Sequence, residues 1–207
     1  PEVLIGRISV RSSSELSVVI NKIINYEKGT YANTMLPYFE KAALIGDPTT
    51  ASGYSTVITN EYIAELMNNY SVEDVRLKTS GGGWSNWMEN QLNEGVLYFN
   101  YRGIYGVSGF GMNNIDNANN GFKLPLATII TCGTGSFSQH STSLSEKFLR
   151  AGSISNPKGG IAGIGTATLN THTLFNNIIN MGIYDGIFSK NIETVGGALA
   201  HGKLALY

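Results

Sequence analysis

Residues 126–133 read Leu-Ala-Thr-Ile-Ile-Thr-Cys-Gly, a mainly apolar run that ends in a cysteine and a glycine. Short apolar runs bounded by turn residues are typical of strands that are buried on both faces, as in parallel sheets. Residues 96–99 read Val-Leu-Tyr-Phe and are followed by Asn-Tyr-Arg-Gly, so they have the same character. Together the two runs predict the central strands of a parallel sheet.

Strand-like runs alternate with helical periodicity on either side of these two strands. Further strands are predicted at 3–10, 42–46, 75–78 and 160–165. Ser12 with Glu15 and Ser143 with Glu146 have the spacing of capping boxes, which start helices. Such alternation is the pattern of βαβ units. We therefore predict one α/β domain over residues 1–207, with a doubly wound, mainly parallel sheet and helices on both faces.

The helix that follows Ser12 carries an apolar stripe at helical spacing. We expect this stripe to face the core, and it consists of Leu16, Val19, Ile20, Ile23 and Ile24.

Charge and composition exclude several classes of function. Lys and Arg total 14 against 15 Asp and Glu, so no extended basic surface is available for nucleic acid. No apolar run approaches the roughly 18 residues of a membrane span, and the first residues show no signal pattern. The single cysteine can form no internal disulfide and has no zinc-site spacing. Because the chain opens directly on a strand-like run, it looks trimmed from a longer precursor.

Candidate chemistry lies beyond the carboxyl ends of the predicted strands, where ligands collect in open parallel sheets. Three polar loops follow strands there, beginning at Asp47, at Asn100 and at Cys132. Cys132 is followed by Gly-Thr-Gly, whose backbone N–H groups can stabilise both a thiolate and an oxyanion. Position alone leaves two interpretations open: a thiol nucleophile, or a buried and inert cysteine.

A family resemblance favours the nucleophile. Residues 123–137 read Lys-Leu-Pro-Leu-Ala-Thr-Ile-Ile-Thr-Cys-Gly-Thr-Gly-Ser-Phe and resemble the nucleophile segment of gingipain-type cysteine peptidases, peptidase family C25 of the caspase and legumain group. Residues 2–28 are similar to the opening strand and helix of that family, and 145–152 and 159–165 to the helix and strand after its nucleophile. The resemblance implies a caspase-like fold and a thiol protease that cleaves polypeptides. It also implies further domains within a large secreted or cell-surface bacterial protein.

One family signature is altered. The family has Asn-Tyr-x-Gly-His-Gly at a strand end, where the histidine prepares the thiol, whereas residues 100–106 here read Asn-Tyr-Arg-Gly-Ile-Tyr-Gly. Ile104 or, with one insertion, Tyr105 takes the place of the histidine. Isoleucine carries no proton, and tyrosine with a pKa near 10 is a poor base at neutral pH. A base other than the histidine of the family is therefore needed.

Four side chains are candidates for the acid and base roles. By resemblance, Asp47 matches the acid that orients the histidine, although an aspartate before proline also commonly caps a loop. His140, eight positions after Cys132, is the preferred substitute base. His172 follows the glycine-broken strand on the correct side of the sheet, and His201 belongs to the last helix at the surface or in the core. A purely structural role stays open for each histidine.

The remaining predictions concern the oxyanion, cofactors and specificity. Backbone N–H groups at Cys132 and at Gly103, Gly106 and Gly133 are candidates for holding an oxyanion. No metal or other cofactor is predicted. Calcium is a weak alternative at residues 113–120, which include an aspartate but lack the alternate-position ligands of a known loop.

No acidic residue lies between Pro48 and Asn60, where the family members that cut after Arg or Lys carry one. A preference for basic residues is therefore not implied. Two hypotheses remain: a cysteine endopeptidase that acts through Cys132, and an inactive peptidase-like domain kept for binding or display.

Overall fold

The structure is a computed structural model, and it describes residues 3–34, 36–48, 53–103, 106–139 and 141–207. The strands are β1 Lys41–Gly46, β2 Asp74–Lys78, β3 Tyr98–Arg102, β4 Leu126–Ile130 and β5 Ala162–Gly165. The helices are α1 Ser13–Glu27, α2 Leu36–Phe39, α3 Ser55–Asn69, α4 Trp84–Glu94, α5 Met112–Asn117, α6 Leu144–Arg150, α7 Thr173–Phe188 and α8 Val195–Leu204. Within these ranges, no helix has the length and apolar character needed to cross a bilayer.

The five strands form one sheet in the order β2-β1-β3-β4-β5, and every described pair is parallel. All five carboxyl ends therefore lie at one edge of the sheet. The strand order reverses direction after β2, so that β1 and β3 flank the switch point at which open α/β sheets form their crevice.

Side chains of β1 alternate between two apolar layers. Ala42 and Leu44 pack with residues of α3, α7 and α8 on one face. Ala43 and Ile45 pack with residues of α4, α5 and α6 on the other face. Because both faces are covered by helices, the sheet is doubly wound, and the predicted fold class is confirmed.

A buried amide network connects the sheet to two helices. Nδ2 of Asn100 on β3 donates to Oδ1 of Asn60 on α3 at 2.8 Å and to Oδ1 of Asn180 on α7 at 3.2 Å. Asn180 returns a hydrogen bond to Oδ1 of Asn100 at 2.8 Å. All three side chains are fully buried, so these bonds remove polar groups that would otherwise destabilise the core.

The strand predicted at 3–10 is wrong. The described residues 3–10 belong to no strand, and Val3 and Ile5 are 69% and 86% exposed. The segment is held by side chains instead: the hydroxyl of Ser9 donates to Glu146 on α6, and the Arg7 guanidinium lies 4.2 Å from the Phe137 ring centroid. Apolar alternation alone did not distinguish a paired strand from a segment held in this way.

The apolar stripe predicted for α1 is also wrong in its orientation. Leu16, Ile20 and Ile24 are exposed, whereas Val19 and Lys22 are buried. The physical reason is Lys22: its Nζ donates to the carbonyl of Leu149 at 2.9 Å, and to those of Phe148 and Lys158. These contacts dock α1 on the carboxyl end of α6, and they turn part of the apolar stripe toward solvent.

The two predicted capping boxes differ in outcome. At α6, Ser143 accepts from the Glu146 N–H and the Glu146 carboxylate accepts from the Ser143 N–H at 2.7 Å, so the reciprocal pair is confirmed. At α1, Ser12 accepts from the Glu15 N–H at 3.2 Å, but the Glu15 carboxylate accepts from the Arg11 N–H instead. Only half of the second box is therefore formed.

Candidate active site

Cys132 lies two residues beyond β4, in a tight loop at the carboxyl edge of the sheet. The Thr134 hydroxyl donates to the Ile129 carbonyl at 2.6 Å, which folds the loop back on the strand end. The N–H of Gly135 donates to the carbonyl of Thr166, just past β5, at 2.8 Å. Gly133 adopts the left-handed conformation with a φ of 75°, which favours glycine and turns the chain directly after the cysteine.

The Cys132 thiol is free and half-buried. Its Sγ lies 3.6 Å from Oγ1 of Thr171, in the loop between β5 and α7. Partial burial alone would raise the pKa of the thiol. Hydrogen bonds from the Thr171 hydroxyl and from the N–H groups of Thr171, Asn170 and Cys132 outweigh that effect and hold the pKa of Cys132 below its ordinary value. The site therefore favours the thiolate, the nucleophilic form of cysteine.

A buried arginine, Arg102, connects three backbone segments beneath this site. Arg102, at the end of β3, is 1% exposed, and its guanidinium donates to the carbonyls of Gly103, of Ile130 at 2.9 Å and of Thr173 at 2.9 Å. Burial lowers the pKa of Arg102 to about 10, against a smaller raising effect of the Cys132 thiolate. The group thus remains cationic at neutral pH, and its charge favours the thiolate in return.

Asp47 follows β1 directly and is 2% exposed. Its carboxylate accepts hydrogen bonds from the Tyr101 hydroxyl at 3.0 Å and from the Ser108 hydroxyl. Its own N–H donates to the Arg102 carbonyl at 2.9 Å. Asp47 therefore connects the end of β1 to both ends of the loop that follows β3.

Two of the three histidines, His172 and His201, lie within the described residues. His140 lies outside the described residues, as do Ile104 and Tyr105. His172 caps the start of α7, where its Nδ1 accepts from the Leu174 N–H at 3.3 Å, and its exposed ring packs on Phe175.

His201 lies on α8, away from the carboxyl edge of the sheet. Its Nδ1 is 2.8 Å from the Gly182 carbonyl oxygen, and its Nε2 is 3.7 Å from the Asp185 carboxylate. These contacts join α8 to α7 and give His201 a structural role.

The three glycines predicted to hold the oxyanion have different contacts in the structure. Gly106 lines the same crevice as Cys132. The Gly103 carbonyl accepts from Arg102. The Gly133 N–H already donates to the Thr168 carbonyl at 3.0 Å, so holding an oxyanion would require that bond to open. Their oxyanion role stays a prediction.

A crevice of about 470 Å³ opens beside Cys132. Its described lining includes an apolar part formed by Val107, Phe110 and Leu144, and hydroxyl side chains such as Ser141 and Thr142. Apart from Cys132, none of the lining residues that the structure describes has a charged side chain. The crevice can therefore accept an uncharged side chain next to the thiol.

The segment considered for calcium is occupied by internal contacts. The Asp116 carboxylate pairs with Lys147 Nζ at 2.6 Å, and the Asn120 amide donates to the carbonyls of Lys123 and Gly159. Across the described ranges, no three His, Cys, Asp or Glu side chains cluster as metal ligands. The calcium alternative stays untested.

Two residues of this site were missed from the sequence. Arg102 had a signal, because an arginine within a run that predicts a buried strand must find partners inside the fold. Thr171 had none, since only the fold brings a residue 39 positions away to the sulfur of Cys132.

A doubly wound parallel sheet with a half-buried thiol in the loop after an inner strand agrees with the caspase-like class of cysteine peptidase folds. The chain matches the family model of peptidase family C25 over residues 1–207, and it belongs to this family. The gingipain resemblance and the caspase-like fold are thereby confirmed.

The relatives and solved structures agree with this assignment. Gingipain R2 and gingipain R1 of Porphyromonas gingivalis are each 27% identical over 170 residues, which cover 78% of this chain. The crystal structure of the Arg specific cysteine proteinase gingipain R superposes with a TM-score of 0.84 and 23% identity over 99% of this chain. The chain spans 23% of gingipain R2, 17% of gingipain R1 and 50% of the crystallised chain.

Proposed function

We propose that this chain is a cysteine-type endopeptidase domain that hydrolyses peptide bonds through Cys132. The observation that carries the proposal is the environment of the sulfur. Its Sγ lies 3.6 Å from the Thr171 hydroxyl, its pKa is lowered, and Cys132 lines an open crevice at the carboxyl edge of the sheet. Acidic, accessible thiols in such surroundings are nucleophiles, whereas structural cysteines are enclosed and inert.

The reaction proceeds in two steps. The thiolate of Cys132 attacks the carbonyl carbon of the scissile bond, a C–S bond forms, and the leaving amine takes a proton as the C–N bond breaks. Water then hydrolyses the thioester and releases the acid product. The backbone N–H groups of Cys132, Gly103 and Gly106 are proposed to hold the negative oxygen in both steps, and the position of Gly106 on the same crevice as Cys132 supports this role.

His140 is the proposed base that takes the proton of the Cys132 thiol and then gives it to the leaving amine. The contacts of His172 weaken its claim to this role. Its Nδ1 is engaged as the acceptor for the Leu174 N–H, so the neutral ring carries its proton on Nε2. A base needs a free lone pair, which His172 gains only by giving up its cap on α7.

Asp47 is proposed as a positioning residue. Since its carboxylate accepts from the Tyr101 and Ser108 hydroxyls, it fixes the loop after β3 that borders the crevice. This role does not require a histidine at position 104 or 105.

The substrate is proposed to be a polypeptide with an uncharged side chain in the crevice, because the described lining has no charged side chain apart from the Cys132 thiolate. One solved relative, gingipain R, is named as an Arg specific cysteine proteinase. Residues 48–60 here hold no acidic side chain that would select arginine. We also propose that residues 1–207 form one domain of a larger bacterial protein that is secreted or held at the cell surface.

A second candidate is a domain that binds or displays without catalysis. The observation that favours it is the loss of the family histidine, since residues 103–106 read Gly-Ile-Tyr-Gly. In that case the acidic thiol would be retained without a proton donor for the leaving group.

Cleavage of a mixture of unfolded peptides, mapped by mass spectrometry, separates the two functions. The endopeptidase predicts new termini with the wild-type chain, none with Cys132→Ala, and a strong loss with His140→Ala. Cleavage that persists in Cys132→Ala would contradict the proposed nucleophile. No cleavage by the wild-type chain would favour the binding domain.

A further inference from the structure

Thr171 occupies the position opposite the sulfur, and a second residue fixes its hydroxyl. Its Oγ1 lies 3.6 Å from Cys132 Sγ and accepts a hydrogen bond from Nδ2 of Asn176 at 2.7 Å. Asn176 is buried in the first turn of α7. The Thr171 hydroxyl is therefore held between an amide and the thiol.

The hydrogen-bonding capacity of these groups sets the direction of the Thr171 proton. A hydroxyl has one donor and two acceptor positions, and the Asn176 amide fills one acceptor position. The hydroxyl proton is then free to point at the sulfur. A thiolate can only accept, so this bond becomes charge-assisted and strengthens when Cys132 loses its proton.

The backbone beside Thr171 also favours the thiolate form of Cys132. Asn170 adopts the left-handed conformation with a φ of 59°, which asparagine tolerates better than most residues. The N–H groups of Asn170 and Thr171 both favour the anionic sulfur. The loop after β5 thus presents three donors to one atom.

We propose that Thr171 is a positioning residue that stabilises the Cys132 thiolate, and that Asn176 acts on the thiol only by directing the Thr171 hydroxyl. The inference rests on the proposed function in one respect, that Cys132 is the reactive group. The Thr171 hydroxyl and the Asn176 amide would then supply part of the thiolate stabilisation that a cationic histidine supplies at other reactive cysteines.

The test is the rate of alkylation of Cys132 by iodoacetamide as a function of pH. Thr171→Val keeps the shape of the side chain and removes the hydroxyl. Its pH midpoint is expected to rise, and alkylation near pH 7 to slow on the order of tenfold, the loss of one charge-assisted hydrogen bond. Thr171→Ser restores the hydroxyl and is expected to recover the wild-type profile.

A matched control is Thr168→Val in the same loop. Thr168 is exposed, and among the described residues its side chain makes no hydrogen bond. It is expected to leave the profile unchanged. If Thr171→Val fails to fold, Thr171→Ala removes the same hydroxyl with less bulk and carries the same expectation.

Comparison of single and double variants tests whether Asn176 acts through Thr171. Asn176→Ala is expected to raise the midpoint by less than Thr171→Val does, and the double variant to match Thr171→Val alone. Additive effects would overturn the assigned role of Asn176. A Thr171→Ser profile equal to that of Thr171→Val would overturn the role of the hydroxyl.

Failure of this inference is distinguishable from failure of the proposed function. A wild-type thiol with an ordinary midpoint near 8.5 would contradict the activated nucleophile itself. A low wild-type midpoint that Thr171→Val leaves unchanged would contradict only the inference.

Discussion

Single residues at the strand ends decide the chemistry of this domain. Asp47 is buried, and its carboxylate accepts hydrogen bonds from the Tyr101 and Ser108 hydroxyls. Ser108 itself has a φ of 49°, an uncommon conformation for serine that needs support from its surroundings. The carboxylate therefore stabilises the loop beside the crevice as well as the end of β1.

Asp47→Ala is expected to destabilise the fold by about 1–3 kcal/mol, because the Tyr101 and Ser108 hydroxyls lie 2.9 Å apart and only one of them can donate to the other once the carboxylate is gone. The urea dependence of unfolding measures this change. Asp116→Ala is the matched control, since its exposed ion pair with Lys147 is expected to contribute less than about 1 kcal/mol. Equal losses in the two variants would contradict the role given to Asp47.

At this scale the sequence predicted the residues that lie directly after strands. Cys132 and Asp47 were found because strand ends are visible as changes from apolar to polar residues. Thr171 and Asn176 were not, because their distance from the sulfur depends on how the loop after β5 turns. The same limit applies to the substitute base, since no spacing rule places His140 relative to Cys132.

At the scale of elements, one buried lysine sets the packing of α1 on α6. Lys22 is fully buried, and it donates to carbonyls of Phe148, Leu149 and Lys158. Burial lowers the pKa of Lys22 to about 7. The helix pattern predicted the existence of α1 correctly, but amphipathic spacing could not show that a cationic side chain would face inward.

The stability of the domain is expected to rise with pH through Lys22. The unfolded lysine keeps a pKa of 10.5, so between about pH 7 and that value the unfolded chain binds one more proton than the folded chain. From about pH 7.5 to about pH 9.5 the gain is about 2 kcal/mol, since each pH unit corresponds to about 1.4 kcal/mol.

Urea unfolding at the two pH values measures this gain against Lys22→Met. Lys22→Met is expected to lack this gain in stability with pH. Lys28→Met, which changes an exposed lysine directly after α1, is expected to keep it. The same pH dependence in wild type and Lys22→Met would contradict the account of Lys22.

At the scale of the whole molecule, the sequence predicted the parallel sheet correctly but not the structure of the opening segment, residues 3–10. The alternation of apolar strands and periodic helices is repeated five times, and each repeat supports the same parallel sheet. The opening segment has no such support, because its apolar residues fit a paired strand and an unpaired extended segment equally well. The fold matters for function because it brings the segments after β3 and β4 together at one crevice, and Asp47 at the end of β1 contacts the segment after β3.

The most direct measurement is covalent labelling of the intact chain, between about pH 5 and pH 10, by a thiol-reactive peptidyl probe with an uncharged side chain. We predict one label per chain, on Cys132, with a midpoint below the ordinary thiol value of about 8.5, and none in Cys132→Ala. Labelling that begins only above about pH 8.5, or that persists in Cys132→Ala, would contradict it.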